Sequence, residues 1–226
     1  LTRIGKEAFR GCYLDGLEYP LSSSTSIPGK DGVLRIPDGV VYIGDFAFAS
    51  NEWSIDVEMS KSMSRIGDSV FYNSSIKRVN WNVAEAEIGT NAFAKSQIRQ
   101  LSGPGVIKKI EPFGFQDCTL LNSVAGISGS IGASAFSGCT ALTEVTLRSG
   151  VKSIGKDAFL GCPLSAVHVD SGDKDRIKSL LKSSGCDVSK ITFVGPIYAI
   201  EFDANGGSGS MDAQTFSTGV SQAVNE

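Results

Sequence analysis

Catalytic chemistry has few candidate residues in this chain, because His168 is its one histidine. A hydrolase with an activated serine or cysteine commonly uses a histidine base that a carboxylate orients. His168 stands between Val167 and Val169 and is followed by Asp170, so it lies on the outward side of an expected strand. No nucleophile is paired with it in the sequence. We therefore interpret His168 as an ordinary exposed strand residue and predict that the protein is not an enzyme.

Metal and cofactor sites are not indicated by the sequence either. A zinc site needs clustered cysteine and histidine such as a CxxC pair, and nucleotide sites carry Walker or GxGxxG patterns; neither occurs here. The run DANGGSG from Asp203 lacks the spaced carboxylates and the closing glutamate of a calcium loop, and is typical of a glycine-rich hairpin. We predict no cofactor and no bound metal.

The charge balance excludes partners that are recognised by a strong positive field. The chain has 21 Lys and Arg against 24 Asp and Glu, which is a net charge of -3. It therefore has no overall attraction for nucleic acid or anionic lipid. No stretch approaches the ~18 apolar residues of a membrane span, and LTRIGKEAFR at the N-terminus lacks a signal core. We predict neither nucleic-acid binding nor membrane insertion.

A nine-residue motif recurs along the chain and must position the other side chains. Its first copy runs from Ile4 to Cys12 as IGKEAFRGC, and the motif returns about every 22 residues, with one insertion after the first copy. The copies begin at Ile4, Ile43, Ile66, Ile88, Ile110, Ile131 and Ile154. The glycine after the isoleucine indicates either a positive φ or a close backbone approach. This period is typical of leucine-rich-repeat solenoids.

Between the copies lies a second pattern, in which apolar residues recur two apart, as in LTEVTL from Leu142. This is the period of a half-buried strand, so each repeat should add at least one short strand to a parallel ladder. One phenylalanine per repeat falls at a single structural position and predicts an internal stack. The members are Phe9, Phe48, Phe71, Phe93, Phe115, Phe136 and Phe159. The predicted fold class is a right-handed, β-rich leucine-rich-repeat solenoid with few helices.

The combination LTEVTLRSGVKSIGKDAFLGC, residues 142–162, resembles the BspA-type leucine-rich repeat of bacterial surface proteins. The resemblance covers roughly residues 1–170 and is weakest in the insertion between Gly11 and Gly32. It implies a bacterial protein that is secreted or on the cell surface and is associated with adhesion. Since the chain begins inside a repeat, we expect it to be part of a longer protein, with signal and anchor outside it.

The C-terminal end of the solenoid needs a cap, because an open repeat stack leaves its last core layer exposed. Asp170 to Asp173, the following KDRIKSLLKSSG and the stop at Gly185 predict a short amphipathic helix, with Ile177, Leu180 and Leu181 on one side. One last strand is expected at 191–194. The predicted repeat domain is therefore 1–195, with its cap at about 173–194.

The composition changes after Pro196. Alternation at Tyr198 and Ile200 predicts a strand, Asn205-Gly206 a tight turn, and residues 214–216 the start of a return strand. Residues 196–226 resemble the opening half of a Listeria-Bacteroides repeat, a small β module of surface proteins. We predict a second, incomplete β module there.

The cysteines share one position of the repeat. The last motif residue is cysteine in four copies: Cys12, Cys118, Cys139 and Cys162. In the other copies Asn51, Ser74 and Ser96 stand there, so a small side chain is what the position requires. We predict free, half-buried thiols, since disulfides normally join unlike places in a chain and not rungs of one ladder. Cys186 is the fifth cysteine.

Aromatic residues fall together in three adjacent repeats, as Trp53, Tyr72 and Trp81, with Tyr42 nearby. Aromatic side chains anchor binding patches, and they also fill cores and edges. Trp81 is at an inward strand position, which favours core filling. A binding patch remains the alternative.

The outward strand positions should form one continuous surface that the core does not need. Aligned strands place one column of side chains at Arg35, Glu58, Asn80, Ser102, Ala125, Thr146 and His168. A neighbouring column contains Asp56, Arg78, Gln100, Ser123, Glu144 and Ala166. Both charge signs, amides and hydroxyls are mixed there, which suits an individual partner recognised by a few polar contacts; merely solvated positions are an equally good interpretation.

We take as candidate partner-binding residues Arg35, Glu58, Arg78, Asn80, Glu144, Thr146 and His168, with a contribution from the loop at 13–31. The predicted function is a non-catalytic, monomeric binding module at the cell surface or outside the cell. Its partner is expected to be a host or matrix protein or a glycan. The alternatives are a structural stalk or spacer domain of a larger cell-wall protein and, more remotely, a non-catalytic part of a surface enzyme.

Overall fold

Short strands make up most of the regular structure. The computed structural model describes residues 2–11, 32–170 and 172–195, and the backbone of 197–200 and 214–217. The elements are β1 (Arg3–Ile4), β2 (Val33–Arg35), β3 (Tyr42–Ile43), β4 (Asp56–Glu58), β5 (Arg65–Ile66), β6 (Arg78–Asn80), β7 (Glu85–Ile88), β8 (Gln100–Ser102), β9 (Val106–Ile110), β10 (Ser123–Ile131), β11 (Glu144–Leu147), β12 (Ser153–Ile154), β13 (Ala166–Val169), α1 (Lys174–Ser183), β14 (Thr192–Val194), β15 (Ile197–Ile200) and β16 (Gln214–Ser217). The predicted β-rich solenoid with few helices is confirmed.

The strands form two parallel ladders, where the sequence predicted at least one. The first ladder contains β2, β4, β6, β8, β10, β11, β13 and β14, and the second contains β1, β3, β5, β7, β9, β10 and β12. Strand β10 is long enough to turn the corner between them, so all of them belong to one sheet of 14 strands.

The glycine after the motif isoleucine is required by close backbone approach in five copies, those that begin at Ile43, Ile66, Ile88, Ile131 and Ile154. A Cβ on Gly44 would lie 2.6 Å from the backbone nitrogen of Lys6, and a Cβ on Gly89 would lie 2.5 Å from the carbonyl oxygen of Gly67. No side chain fits at those distances, and neither glycine has a positive φ. The second of the two sequence explanations, close approach, is therefore the correct one.

The rest of the motif forms a turn that bonds to the next repeat. Positive φ falls three and seven residues after the isoleucine, for example 60° at Lys95. Alternate N–H groups donate to the following repeat: Phe93 to the Gly114 carbonyl and Lys95 to the Gln116 carbonyl, both at 2.8 Å. The turns thereby continue the hydrogen-bond ladder and leave few buried backbone groups without a partner.

Two aspartate side chains accept hydrogen bonds from turn N–H groups that have no backbone carbonyl as their acceptor. The Oδ1 atom of Asp45 accepts from the Asp68 N–H at 2.9 Å, and that of Asp68 accepts from the Thr90 N–H at 3.0 Å. The residue that follows Thr90 in the stack is Pro112, which has no N–H to satisfy. A carboxylate is therefore needed at Asp45 and Asp68 and not at Thr90.

The core is one continuous stack from end to end of the repeats. Neighbouring phenylalanine rings have centroids 4.9 to 5.3 Å apart and lie within 15° of parallel. The predicted stacking of Phe93, Phe115 and Phe136 is confirmed. Trp53 and Trp81 are buried in the same core, so core filling is confirmed for both.

The last motif position selects a small hydrogen-bond donor. Cys118 Sγ donates to the Phe93 carbonyl of the preceding repeat at 2.9 Å, and Asn51 Nδ2 does the same to the Phe9 carbonyl at 3.0 Å. Cys118, Cys139, Cys162 and Cys186 are free. The prediction of free thiols is confirmed for these four, although Cys118 and Cys139 are fully buried, not half-buried. Cys12 lies outside the described residues.

The predicted cap is present. Helix α1 buries Ile177 and Leu181 completely, and Gly185 follows it with φ of 92°. Arg176 ties the helix to the last full repeat by donating to the carbonyls of Ser149 and Val151. The cap thus covers the end of the core, and β14 then pairs in parallel with β13.

The two strands expected after Pro196 are paired. β15 and β16 are antiparallel, with Ile197 opposite Ser217. The expected turn at Asn205-Gly206 lies outside the described residues. The resemblance to a Listeria-Bacteroides repeat remains a prediction.

Candidate binding face

The outward side chains of the first ladder form the candidate site, which we call the strand-ladder face. Strand pairing places Arg35 opposite Glu58, Glu58 opposite Asn80, and Asn80 opposite Ser102. Further along, Thr146 lies opposite His168. Because side chains alternate along a strand, the residues between them point into the core. The predicted columns are therefore confirmed over most of their length.

The first column is interrupted in its middle. Val124 pairs with Val145 but Ile127 pairs with Leu147, so Ala125 and Gly126 together lie opposite a single residue. This is a β-bulge, and it removes Ala125 from the predicted column. The strand-ladder face consequently has an N-terminal part, carried by β2, β4, β6 and β8, and a C-terminal part, carried by β11 and β13.

In the N-terminal part the charged residues pair across neighbouring strands. Arg35 Nε lies 3.1 Å from Glu58 Oε2. Arg78 donates through Nε and Nη2 to Asp56 Oδ2, at 2.9 and 2.5 Å. The hydrogen bond to Asp56, together with its charge, raises the pKa of the Arg78 guanidinium. All four groups are solvent-accessible, so these pairs add little stability, but they cancel each other's charge locally.

Between the pairs lies a shallow groove with a volume of about 300 Å³. Its lining includes Val57 together with the polar residues Asn80, Gln100 and Ser102. The large apolar side chains that are exposed in the described part of the chain are Val41, Phe113, Leu120 and Leu160, none of which belongs to the first ladder. The groove is therefore mainly polar, with half-buried Val33 and fully buried Val57 as its apolar lining residues.

His168 differs from its prediction. It was expected to be exposed, yet only 8% of its surface is accessible, so that expectation is wrong. Its ring lies between Thr146 and Val194 in the ladder, and neither ring nitrogen has a hydrogen-bond partner. Nε2 is 3.7 Å from Glu144 Oε2. Alternation predicts which way a side chain points, but not how closely its neighbours cover it.

The remaining candidates of the C-terminal part are accessible. Glu144 is exposed and Thr146 is half-buried. With His168 covered, this part offers a partner fewer polar groups than the N-terminal part does. The loop at 13–31, expected to extend the face, lies outside the described residues.

The aromatic cluster does not form a patch on this face. Tyr42 belongs to the second ladder, where its hydroxyl donates to Asp45 at 3.2 Å and its ring lies under Arg3. Burial and the nearby Asp45 carboxylate raise the pKa of Tyr42. Tyr72 lies in a turn beside Lys95. The binding alternative for the aromatic cluster therefore has no common surface to support it.

Within residues 2–11, 32–170 and 172–195 no group of three or more histidine, cysteine and acidic side chains is placed to hold a metal ion. No helix of the described residues has the length and apolarity to cross a membrane.

Gln100 and Ser102, which line the groove, were in the predicted columns but not among the candidate residues. The sequence indicated these two residues only by their outward strand positions. Only the structure shows that they line a groove.

Comparison with known proteins gives a family and a fold. The model of the BspA type leucine rich repeat region matches residues 33–128 and 127–220, in six copies. A leucine rich cell surface protein from Faecalibacterium prausnitzii A2-165 has a similar structure, with a TM-score of 0.50 and 22% identity over 79% of this chain and 53% of its own. A leucine-rich repeat protein from Bacteroides ovatus ATCC 8483 aligns with a TM-score of 0.37 and 18% identity, over 86% of this chain and 69% of its own. This chain thus spans about half the length of the Faecalibacterium protein. No curated protein matches it.

Proposed function

The chain belongs to the BspA-type leucine-rich repeat family, and on that premise we propose that it is a non-catalytic binding module of the bacterial cell surface. The strand-ladder face is the surface that it presents to an extracellular partner, a protein or glycan of the host or matrix. The similar Faecalibacterium structure is that of a cell surface protein, which supports this location.

The observation that carries the proposal is the groove on β4, β6 and β8, which lies beside the charge pairs that join β2 to β4 and β4 to β6. Its polar side chains are not part of the core, and Arg78 and Asn80 are exposed at alternate positions of one strand, on either side of buried Val79. A repeat protein needs these positions only to be compatible with solvent. Their mixture of amide, hydroxyl and paired charge gives a defined polar pattern, which is how interfaces distinguish one partner from another.

The proposal is tested with the purified chain on a panel of matrix proteins and glycans. The test variant reverses two charges on the strand-ladder face, Arg78→Glu with Glu144→Lys. The matched control reverses two exposed charges on the turn side, Lys95→Glu with Glu52→Lys. Both double variants keep the net charge of the parent.

We expect a ligand of the panel to lose about tenfold in affinity with the test variant, because Arg78→Glu sets two carboxylates side by side in the groove, and to bind the control as it binds the parent. Melting temperatures of all three proteins should agree within about 2 °C, since the changed residues are on the surface. Absence of any ligand would favour a structural stalk, and equal losses for both variants would place the partner elsewhere.

A further inference from the structure

We infer that the groove between β4, β6 and β8 binds a neutral carbohydrate; this inference rests on the proposed function and names the ligand class. Three side chains at its centre carry it. Asn80, Gln100 and Ser102 line the groove from two adjacent strands, and within the described residues none of these three side chains forms a hydrogen bond. Each amide brings two donors and an acceptor, and the serine brings a hydroxyl that can do either.

The ligand should carry no net charge, because the charged side chains around the groove are already paired with one another. Arg78 is bonded twice to Asp56. On the other side Glu58 is paired with Arg35 at 3.1 Å. The net charge of the two ion pairs is zero. An anionic polymer or an acidic peptide would have to break one of these pairs before its own charge could be paired. A ligand that is recognised by neutral donors and acceptors has no such cost.

A protein partner is less suited to this groove than a carbohydrate. Energetically dominant residues in protein interfaces are aromatic or apolar anchors that insert into pockets. The groove has no aromatic side chain, and of its two apolar residues Val57 is fully buried and Val33 is half-buried, so it has little apolar surface for such an anchor. Hydroxyl groups of a sugar are donors and acceptors at once, and they match amides and a serine hydroxyl directly.

The spacing of the ladder fits a linear ligand that lies across the strands. Adjacent strands are about 4.8 Å apart, so polar side chains come at regular intervals on β4, β6 and β8. Linked sugar rings can present successive hydroxyls to them. The volume of about 300 Å³ is at the small end of the range for ligand sites, which suits a short segment of the glycan. Single contacts of this kind are weak, and many copies on one cell would raise the avidity.

The experiment compares three kinds of probe on the purified chain. The first is an array of neutral oligosaccharides, the second their sulfated or sialylated counterparts, and the third matrix proteins from which glycans have been removed. Two amides three residues apart supply the matched variants: Gln100→Ala removes a groove amide, and Gln97→Ala removes an exposed amide on the turn side. A third variant, Ser102→Arg, fills the groove.

We expect a neutral oligosaccharide to bind, and Gln100→Ala to lower its affinity about threefold to tenfold. Ser102→Arg should abolish binding, and Gln97→Ala should leave it unchanged. Binding should be nearly independent of salt, since no charged contact is formed. In NMR spectra the side-chain amide signals of Asn80 and Gln100 should shift on titration while that of Gln97 does not.

The outcomes separate this inference from the proposed function. One outcome is that a deglycosylated protein binds, that no glycan does, and that the double variant Arg78→Glu with Glu144→Lys abolishes this binding. It would overturn the carbohydrate ligand but retain the binding module. Binding of sulfated or sialylated glycans alone, with steep salt dependence, would overturn the neutral ligand and likewise retain the binding module. Absence of binding by all three kinds of probe would overturn both.

Discussion

Removing one ring from the phenylalanine stack is the most direct test of how this solenoid is stabilised. Phe115 is fully buried in the central part of the chain. Its ring centroid lies 4.9 Å from that of Phe93 and 5.1 Å from that of Phe136, and both pairs are within 9° of parallel. The substitution Phe115→Ala would therefore open a cavity between two repeats and remove two stacked contacts.

The expected loss follows from these contacts. A buried phenylalanine replaced by alanine costs about 3–5 kcal/mol. Each stacked pair contributes about 0.5–1.5 kcal/mol beyond area burial, and Phe115 has two, so the loss should fall in the upper half of that range. For a chain of this size, ~1 kcal/mol lowers the melting temperature by about 2–4 °C. The melting temperature should therefore fall by about 8–20 °C.

Phe113 provides the control in the same turn. It is two residues away and 37% exposed, so Phe113→Ala removes an aromatic ring without opening the core. Its free energy of unfolding should change by about 0.5 kcal/mol or less. Unfolding by urea and by heat would be followed by circular dichroism for both variants. Equal losses for Phe113→Ala and Phe115→Ala would refute the stacked core as the source of stability.

Three further predictions concern the ladder, the cap and the thiols. Asp68→Ala should lower the free energy of unfolding in urea by about 1 kcal/mol, because it leaves the part-buried N–H of Thr90 without its acceptor. Thr90→Ala, at the same position one repeat later, should change it little, and similar losses would contradict the ladder argument. Arg176→Ala removes the hydrogen bonds that hold α1 on the last repeat, so it should detach α1 and speed amide hydrogen exchange in the last repeat but not in the first. Equal acceleration in all repeats would show that the helix is not a local cap. Burial raises the pKa of the Cys186 thiol, so its labelling by a disulfide reagent at pH 8 should be slower than that of a free thiol and should accelerate as the pH rises. Fully buried Cys139, whose pKa neighbouring thiols raise, should be labelled only when the protein unfolds, and mass spectrometry that finds it modified in the native protein would contradict this.

Most of the fold could be predicted because it is local and repeated. Each motif places an isoleucine and a phenylalanine at constant spacing, with a glycine after the isoleucine in six of the seven copies, and stacking equal units aligns equal residues. The Phe93–Phe115–Phe136 stack and the columns through Asn80 followed from this alone. The cap could be predicted for a similar reason, since the amphipathic pattern of α1 lies within one short segment.

Features that depend on contacts between repeats could not be predicted in the same way. Asn51 and Cys118 look interchangeable as small residues, but the structure shows that both donate to a phenylalanine carbonyl of the preceding repeat. The bulge at Ala125 arises from a strand one residue too long for its neighbour, so it is a property of the pair and not of either strand.

The sequence by itself thus determined the repeat, the internal ladders, the cap and the set of side chains that face outward. The tertiary structure alone decided which of these outward side chains a partner could reach and which are still available for hydrogen bonds. Arg78 is bound to Asp56, and His168 is covered although its strand pattern points it outward, whereas Gln100 is open to a groove. The physical reason is that periodicity sets the direction of a side chain, while its exposure and its partners depend on neighbours about 22 residues away in the chain.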